Sequence, residues 1–257
     1  WQTARAKVDW FFDMAAEHNL WVLLDMHGGP GSQNGQDHSG CTKSEQWDHH
    51  DNQRLSRQAV ESMAARYGSH PNLWGFELLN EPSDYYSANQ HALLADYYRD
   101  CYTIIRKYSK TAMVVFNELY SQYYGYWDDE LREPHYYNVV MDVHLYDWQQ
   151  PFTDEWNFQH ILDAKLWAGL IARIGRGHPV MVGEWCMSTG TYSQAGQPFV
   201  DAAVTSFQDT SSWFLWNWKV EKGIPFPEWD VHLQLQRRQE GKASLYPLNP
   251  VPVYSTD

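Results

Sequence analysis

The 257-residue sequence predicts an α/β fold built on a parallel sheet, and three observations carry that prediction. Short continuous apolar runs recur along the chain in the pattern of strands buried on both faces. Between them lie stretches whose apolar residues fall at three- and four-residue spacing, as on one face of a helix. The two kinds alternate, which is the order of βαβ units.

The elements follow in turn. Ala4, Val8, Phe11, Phe12 and Ala15 mark an opening helix that Asn19 stops. "LWVLLDMH" (Leu20–His27) reads as the first strand, and "GGPGSQNGQDHSG" after it as a long polar loop. Gly28, Gly29 and Gly31 are expected to let the backbone turn hard there. Leu55, Ala59, Met63 and Tyr67 mark a second helix, ending near Gly68. "NLWGFELLNEP" (Asn72–Pro82) is the next strand, and Leu94, Tyr97, Cys101, Ile104 and Ile105 give the helix after it. "AMVVFN" (Ala112–Asn117), "NVVMDVHLY" (Asn138–Tyr146), "HPVMVGEW" (His178–Trp185) and "SWFLWNWK" (Ser212–Lys219) complete six strands, with helices around Ile161–Ile174 and Phe199–Phe207. Residues 221–257, with "PFPEW" and "YPLNPVPVY", read as an irregular tail.

Right-handed crossovers repeated in one sense close a parallel sheet into a (β/α)8 TIM barrel. About six strand–helix units are legible against the eight of a complete barrel, and the chain opens on a helix. The expectation is therefore a barrel lacking its first two β/α units, with the N-terminus a mature end or a truncation. No Gly/Ser/Pro-rich linker divides residues 1–257, so a single domain is expected.

A net charge of −13 argues against nucleic acid and anionic membrane as partners, because both require a basic surface. No apolar run approaches the ~18 residues of a membrane span, and no signal peptide pattern is present. The excess of 14 Trp, 17 Tyr and 10 Phe supplies core volume and also flat faces on which sugar rings can stack. Three cysteines, Cys41, Cys101 and Cys186, allow at most one internal disulfide and do not fix the compartment.

Every strand ends in residues too polar for a core: Asp25 and His27, Asn80 and Glu81, Asn117 and Glu118, His144 and Tyr146, Glu184, and Trp216 to Trp218. One such residue is readily a helix cap. Six converging strand ends are not, and the carboxyl ends of barrel strands form the active face. Glu81 in "LLNEP" and Glu184 in "MVGEW" follow apolar runs, so both carboxyls are partly desolvated, which raises their pKa. Two carboxylates of different acidity are what glycoside hydrolysis needs, one donating a proton to the leaving oxygen and one attacking the anomeric carbon. Asn80 beside the acid is placed to contact a sugar hydroxyl, and Tyr146 to hold Glu184 ionised.

"NEP" followed by "GEW", together with "HLY" and "WNWK", resembles glycoside hydrolase family 5. The loop "HGGPGSQNG" is similar to that of the family's fungal-type exo-β-1,3-glucanases. The resemblance implies a metal-free and cofactor-free retaining hydrolase of β-glucan, with Glu81 as acid/base and Glu184 as nucleophile. It implies substrate contacts from His27, Asn80, His144, Tyr146 and Trp216, and a cis peptide at Trp216–Asn217; Asn34 and Trp148 are further candidate substrate contacts. A carboxyl separation of about 5–5.5 Å belongs to such a mechanism. An extracellular or cell-wall location also follows from the resemblance, and a monomer is expected. Gln36 and Gln149 stand where the exo-glucanases carry phenylalanines at the pocket mouth.

Other chemistries fit less well. His49 and His50 in "WDHHDN" are adjacent and belong to a solvated loop rather than a metal site. No "GxSxG" elbow is present, and Cys186 reads as a small buried residue. The alternative from another class is a non-catalytic or impaired glycan-binding barrel remnant.

Overall fold

The computed structural model describes residues 2–40, 44–82, 88–117, 125, 127–146, 165–187, 196–221 and 229–241. These residues fall into two compact units. One comprises Trp1–Asp142 with Gly177–Pro179, and the other Val143–Arg176 with Val180–Asp257.

The first unit carries strands β1 (Val22–Asp25), β2 (Leu73–Glu77), β3 (Met113–Asn117) and the start of β4 (Val139–Leu145). β1 pairs with β2, β2 with β3 and β3 with β4, all parallel, in chain order. Helices α1 (Gln2–Glu17), α2 (His50–Tyr67) and α3 (Ala88–Tyr108) lie between strands in sequence. The alternation read from hydrophobic pattern is therefore the alternation observed. Gly75 sits where β2 and β3 approach closely: a Cβ there would lie 2.6 Å from the Met113 carbonyl oxygen.

Two tyrosines of α3 fix the strand ends that lead into the site. Tyr97 donates to the Leu78 carbonyl at 2.9 Å, and Tyr98 to the Asn117 carbonyl at 2.8 Å, both from fully buried positions. A buried phenol must find such an acceptor, so each ring packs and tethers at once. Beneath them Phe116, Tyr98 and Trp127 form a cluster with ring centroids 5.0–5.7 Å apart. Cys101 is buried beside Tyr97, and burial pushes its thiol up to about 12, far from nucleophilic use near neutral pH.

Helix α2 differs from the expected register. Its buried face is Gln53, Ser56, Val60, Ala64 and Tyr67, while Leu55 is exposed. The reason is Trp47, which is fully buried and donates its indole N–H to Ser56 Oγ at 2.9 Å. Ser56 in turn donates to the Asn52 carbonyl, so a polar side chain occupies a core position without an unmet bond. Helix α1 buries Phe12 and Ala15 but leaves Phe11 exposed. It is tied to α2 by Asp9, whose carboxylate takes both Arg66 and the Tyr67 hydroxyl.

The second unit holds Val143–Leu145 of β4, then β5 (Val180–Trp185) and β6 (Ser212–Leu215), which pair parallel. Helices α4 (Lys165–Ile174) and α5 (Gly196–Ser206) accompany them. Trp185 is the centre of this unit's core, edge-on to Phe207 at 5.3 Å and to Trp213 at 5.7 Å. Trp167 stacks on Phe207 from α4. The stretch read as an irregular tail contains a helix, α6 (Val231–Gln239). Asp230 starts it, accepting from the Leu233 N–H at 2.7 Å as an N-cap, and this cap offsets the helix's poorly apolar sequence.

Candidate active site

In the first unit, β1 and β2 end side by side. The Met26 N–H donates to the Glu77 carbonyl, and the Asn80 N–H to the Met26 carbonyl. Gln33 from the glycine-rich loop fastens both ends. Its amide N–H groups reach the carbonyls of His27 at 3.0 Å and Asn80 at 2.7 Å, and its oxygen accepts from the Gly29 N–H at 2.9 Å. Gln33 is fully buried, as are its bonds to Gly29 and Asn80, so losing either would be costly.

The three loop glycines divide by cause. Only Gly31 has the left-handed φ, +83°, that a glycine adopts freely. Gly29 is needed for a close approach, since a Cβ would meet the Trp47 ring at 2.6 Å. Gly28 is similarly tight against the Ser39 carbonyl at 3.1 Å. Past Gly31 the loop is held by hydroxyls: Ser39 donates to the Gln36 carbonyl, Ser32 to Ser39, and the Gly35 N–H to Ser32. That chain builds the short 3-10 turn Asp37–Ser39.

Glu81 stands just beyond β2 with φ +43°, a left-handed conformation that costs a non-glycine residue about 1–3 kcal/mol. Two asparagine side chains hold it there. Asn117 Oδ1 accepts the Glu81 N–H at 2.9 Å, and Asn34 Nδ2 donates to the Glu81 carbonyl at 3.0 Å. Asn117 is itself oriented toward Asp142, with Nδ2 3.3 Å from Oδ2. The Glu81 carboxyl, 13% exposed, faces His38 Nε2 at 3.1 Å. Asn80 is buried with no partner for its Nδ2 among the described residues, a donor without a mate. His27 is held by Asp25, Nδ1 to Oδ2 at 2.8 Å.

In the second unit, Glu184 lies at the end of β5 and is 9% exposed. The Tyr146 hydroxyl donates to its Oε2 at 2.7 Å, and His144 Nδ1 lies 3.5 Å from the same oxygen. His144 and Tyr146 alternate along β4 and its exit, which turns both to one side. Trp229 stacks on Tyr146 with centroids 5.5 Å apart. Trp216 is half-buried, its N–H donates to the Trp185 carbonyl, and the Trp216–Asn217 peptide is cis, where the resemblance places one. Asn217 brackets Trp229 and Val231 through its backbone.

Of the residues singled out in the sequence, Asn34, Asn80, Glu81 and His27 are thus gathered at the β1 and β2 ends. His144, Tyr146 and Glu184 form a second cluster, with Trp216 on the β6 exit. Trp148 and Gln149 lie outside the described residues. Gln36 and the pair His49 and His50 are exposed. Sequence reasoning gave no role to His38, which sits in a polar run without periodicity, and none to Asn117 beyond marking a strand end.

Parallel strands alternating with helices, with polar side chains massed where the strands end, define an enzyme scaffold of the (β/α)8 type. Endo-glycoceramidase II from Rhodococcus sp. matches with a TM-score of 0.66 at 15% identity, over 86% of this chain and 61% of that one, so the fold is a partial barrel of this kind. The chain belongs to glycosyl hydrolase family 5: the family's cellulase model matches residues 2–222. Among curated relatives, glucan 1,3-beta-glucosidase of Schwanniomyces occidentalis is 27% identical over 87% of this chain. Probable glucan 1,3-beta-glucosidase A of Emericella nidulans is 29% identical over 84%. The chain spans 61% and 62% of the lengths of these two relatives. Among the described residues no helix is long and apolar enough to cross a membrane.

Proposed function

We propose that the protein is a retaining β-glycoside hydrolase acting on β-glucan, with β-1,3-glucan as the preferred polymer. Glu81 is its acid/base and Glu184 its nucleophile. The observation that carries this reading is the unlike treatment of the two carboxyls. Glu184 is nearly buried yet receives a phenolic donor from Tyr146 on Oε2, which favours the charged form a nucleophile needs. Glu81 receives an imidazole nitrogen, and its strained backbone is held from both sides by Asn34 and Asn117.

In the first half-reaction Glu81 protonates the glycosidic oxygen while Glu184 attacks the anomeric carbon, giving a glycosyl ester. In the second, Glu81 takes a proton from water, which displaces Glu184 and restores both groups. In this reading Asn80 supplies the donor for a sugar hydroxyl, His27 and His144 are further sugar contacts, and Trp216 offers an aromatic face. Family membership and the relatives named glucan 1,3-beta-glucosidase support the choice of substrate. An extracellular site of action fits a polymeric substrate, and we propose a monomeric single catalytic domain.

Hydrolysis of laminarin and of an aryl β-glucoside by wild type, Glu184→Gln and Glu81→Ala tests this. Glu184→Gln should lose about 10⁴-fold or more in kcat. Glu81→Ala should lose about 10²–10⁴-fold on substrates with poor leaving groups. A 2-fluoroglycoside inactivator should leave its sugar esterified to Glu184 on peptide mapping. A wild type as inactive as Glu184→Gln, yet binding laminarin, would replace this reading with that of a glycan-binding barrel.

A further inference from the structure

Tyr146 stands one residue past the end of β4 at Leu145. Its hydroxyl must nevertheless meet one atom, Glu184 Oε2, at 2.7 Å, with His144 Nδ1 3.5 Å from the same oxygen. A phenol is a long lever: a turn of about 10° at χ1, well within one rotamer, carries the hydroxyl about 1 Å. A displacement of that size in an active site costs up to about 10²-fold in rate. Trp229 restrains the ring from the side. It lies nearly flat on Tyr146, with centroids 5.5 Å apart and ring planes 16° from parallel, the offset stack that aromatic pairs prefer.

Trp229 can act as a stop because its own backbone is fixed. Its carbonyl accepts the Asn217 N–H at 3.0 Å, the Asn217 carbonyl accepts from Val231 at 3.2 Å, and the Trp218 carbonyl from His232 at 2.8 Å. These bonds lace residues 229–232 to the exit of β6. The Trp216 N–H continues the seam to the Trp185 carbonyl, next to Glu184 at the end of β5. Asp230, 7% exposed, ties the same segment to the Leu233 and Val220 N–H groups. The His232 ring lies edge-on to Trp218 at 5.4 Å beside them. Glu184 and the platform behind its hydroxyl donor thus hang from one backbone seam.

We propose that Trp229 is a positioning residue for the attack by Glu184. Its ring holds the Tyr146 phenol so that the hydroxyl stays on Oε2, and the segment beyond the last strand thereby becomes part of the catalytic apparatus. Glu184 acts here as the nucleophile of the proposed hydrolase, and the role of Trp229 rests on that reading.

The test is the rate at which a dinitrophenyl 2-fluoro-β-glucoside inactivates wild type, Trp229→Ala, Trp229→Leu, Trp229→Phe, Tyr146→Phe and the double variant Trp229→Ala/Tyr146→Phe. Dinitrophenolate leaves without a proton from Glu81, so the rate reads the attack of Glu184. Trp229→Ala should slow inactivation about tenfold. Trp229→Leu keeps apolar volume without a ring, should slow it as much, and gives the same reading should Trp229→Ala fail to fold. Trp229→Phe, which keeps an aromatic face, should stay within about threefold of wild type. With the hydroxyl gone Trp229 has nothing left to aim, so the double variant should fall within about twofold of Tyr146→Phe. Losses that multiply in the double variant, a Trp229→Phe as slow as Trp229→Leu, or wild-type inactivation rates in both Trp229→Ala and Trp229→Leu overturn the inference and leave the hydrolase reading intact. So does a loss in Trp229→Ala confined to KM for laminarin, which would make Trp229 a sugar platform. A wild type that is not inactivated at all overturns the reading of Glu184 as nucleophile, and the role of Trp229 with it.

Discussion

At the scale of single residues, the feature that separates this site from an ordinary strand end is the backbone of Glu81. A glutamate at φ +43° is held against its own preference, and the bond from its N–H to Asn117 Oδ1 is one of its restraints. Asn117 is 1% exposed, so removing its amide takes away the acceptor that meets the Glu81 N–H and leaves a gap in a buried position. Asn117→Ala should therefore destabilise by about 1–3 kcal/mol. It should also lower kcat/KM about tenfold on substrates with poor leaving groups, because a small misplacement of an acid is expensive in rate. Thermal unfolding and kinetics on the same preparation check both. Normal kinetics in a destabilised protein would show that the other contacts of Glu81, Asn34 among them, hold the acid in place. Asn117 was visible in the sequence as a polar strand end, but its role was not, because a clamp on a residue 36 positions away depends on strand register rather than on any local pattern.

At the scale of elements, legibility followed the hydrophobic pattern. All six strands of the described sheet were readable as apolar runs; β2 to β5 are buried nearly throughout, as such runs imply, whereas β1 and β6 are only partly buried. Helix α2 was found but rotated. The pattern Leu55–Ala59–Met63 is apolar, and the face actually buried includes Ser56 and Gln53, admitted because Trp47 brings a donor to Ser56. Helix α6 was missed because its apolar content is low, though Asp230 just before it was a cap signal in plain view. That cap matters for function, since Asp230 follows Trp229, which stacks on the Tyr146 that donates to Glu184. Asp230 Oδ2 also accepts from the Val220 N–H at 3.3 Å, so one side chain joins the β6 exit to the helix start. Asp230→Ala should cost about 0.5–2 kcal/mol as a lost N-cap. Hydrogen exchange should show the gain in opening concentrated in 229–241, and a uniform change across the protein would mean that the cap is not what holds this segment.

At the scale of the whole molecule, the pH dependence of stability sets surface charge against buried histidine. A net charge of −13 means that mild acidification relieves self-repulsion and favours the folded state. The histidines around Trp127 act in the opposite direction. His178 is 4% exposed, bonds through Nε2 to the Trp127 carbonyl at 2.9 Å, and lies edge-on to Phe116. His91 packs its ring 4.6 Å from that of Trp127. Burial, the largest cause in each case, pushes both imidazoles below their ordinary value of 6.5. A proton then binds the unfolded chain more readily than the folded one, so stability rises with pH wherever that difference persists. The favourable contribution is complete above about pH 6.5 and is lost as pH falls from there toward the lower folded values, after which it levels off. His178→Gln retains an N–H for the Trp127 carbonyl and removes the titration. Urea midpoints measured between about pH 7.5 and 5 should fall with acidification in wild type, and the fall should be smaller in His178→Gln. Identical slopes in the two proteins would assign the acid sensitivity to groups other than His178. A midpoint that rises on acidification would show relief of surface repulsion outweighing the buried histidines.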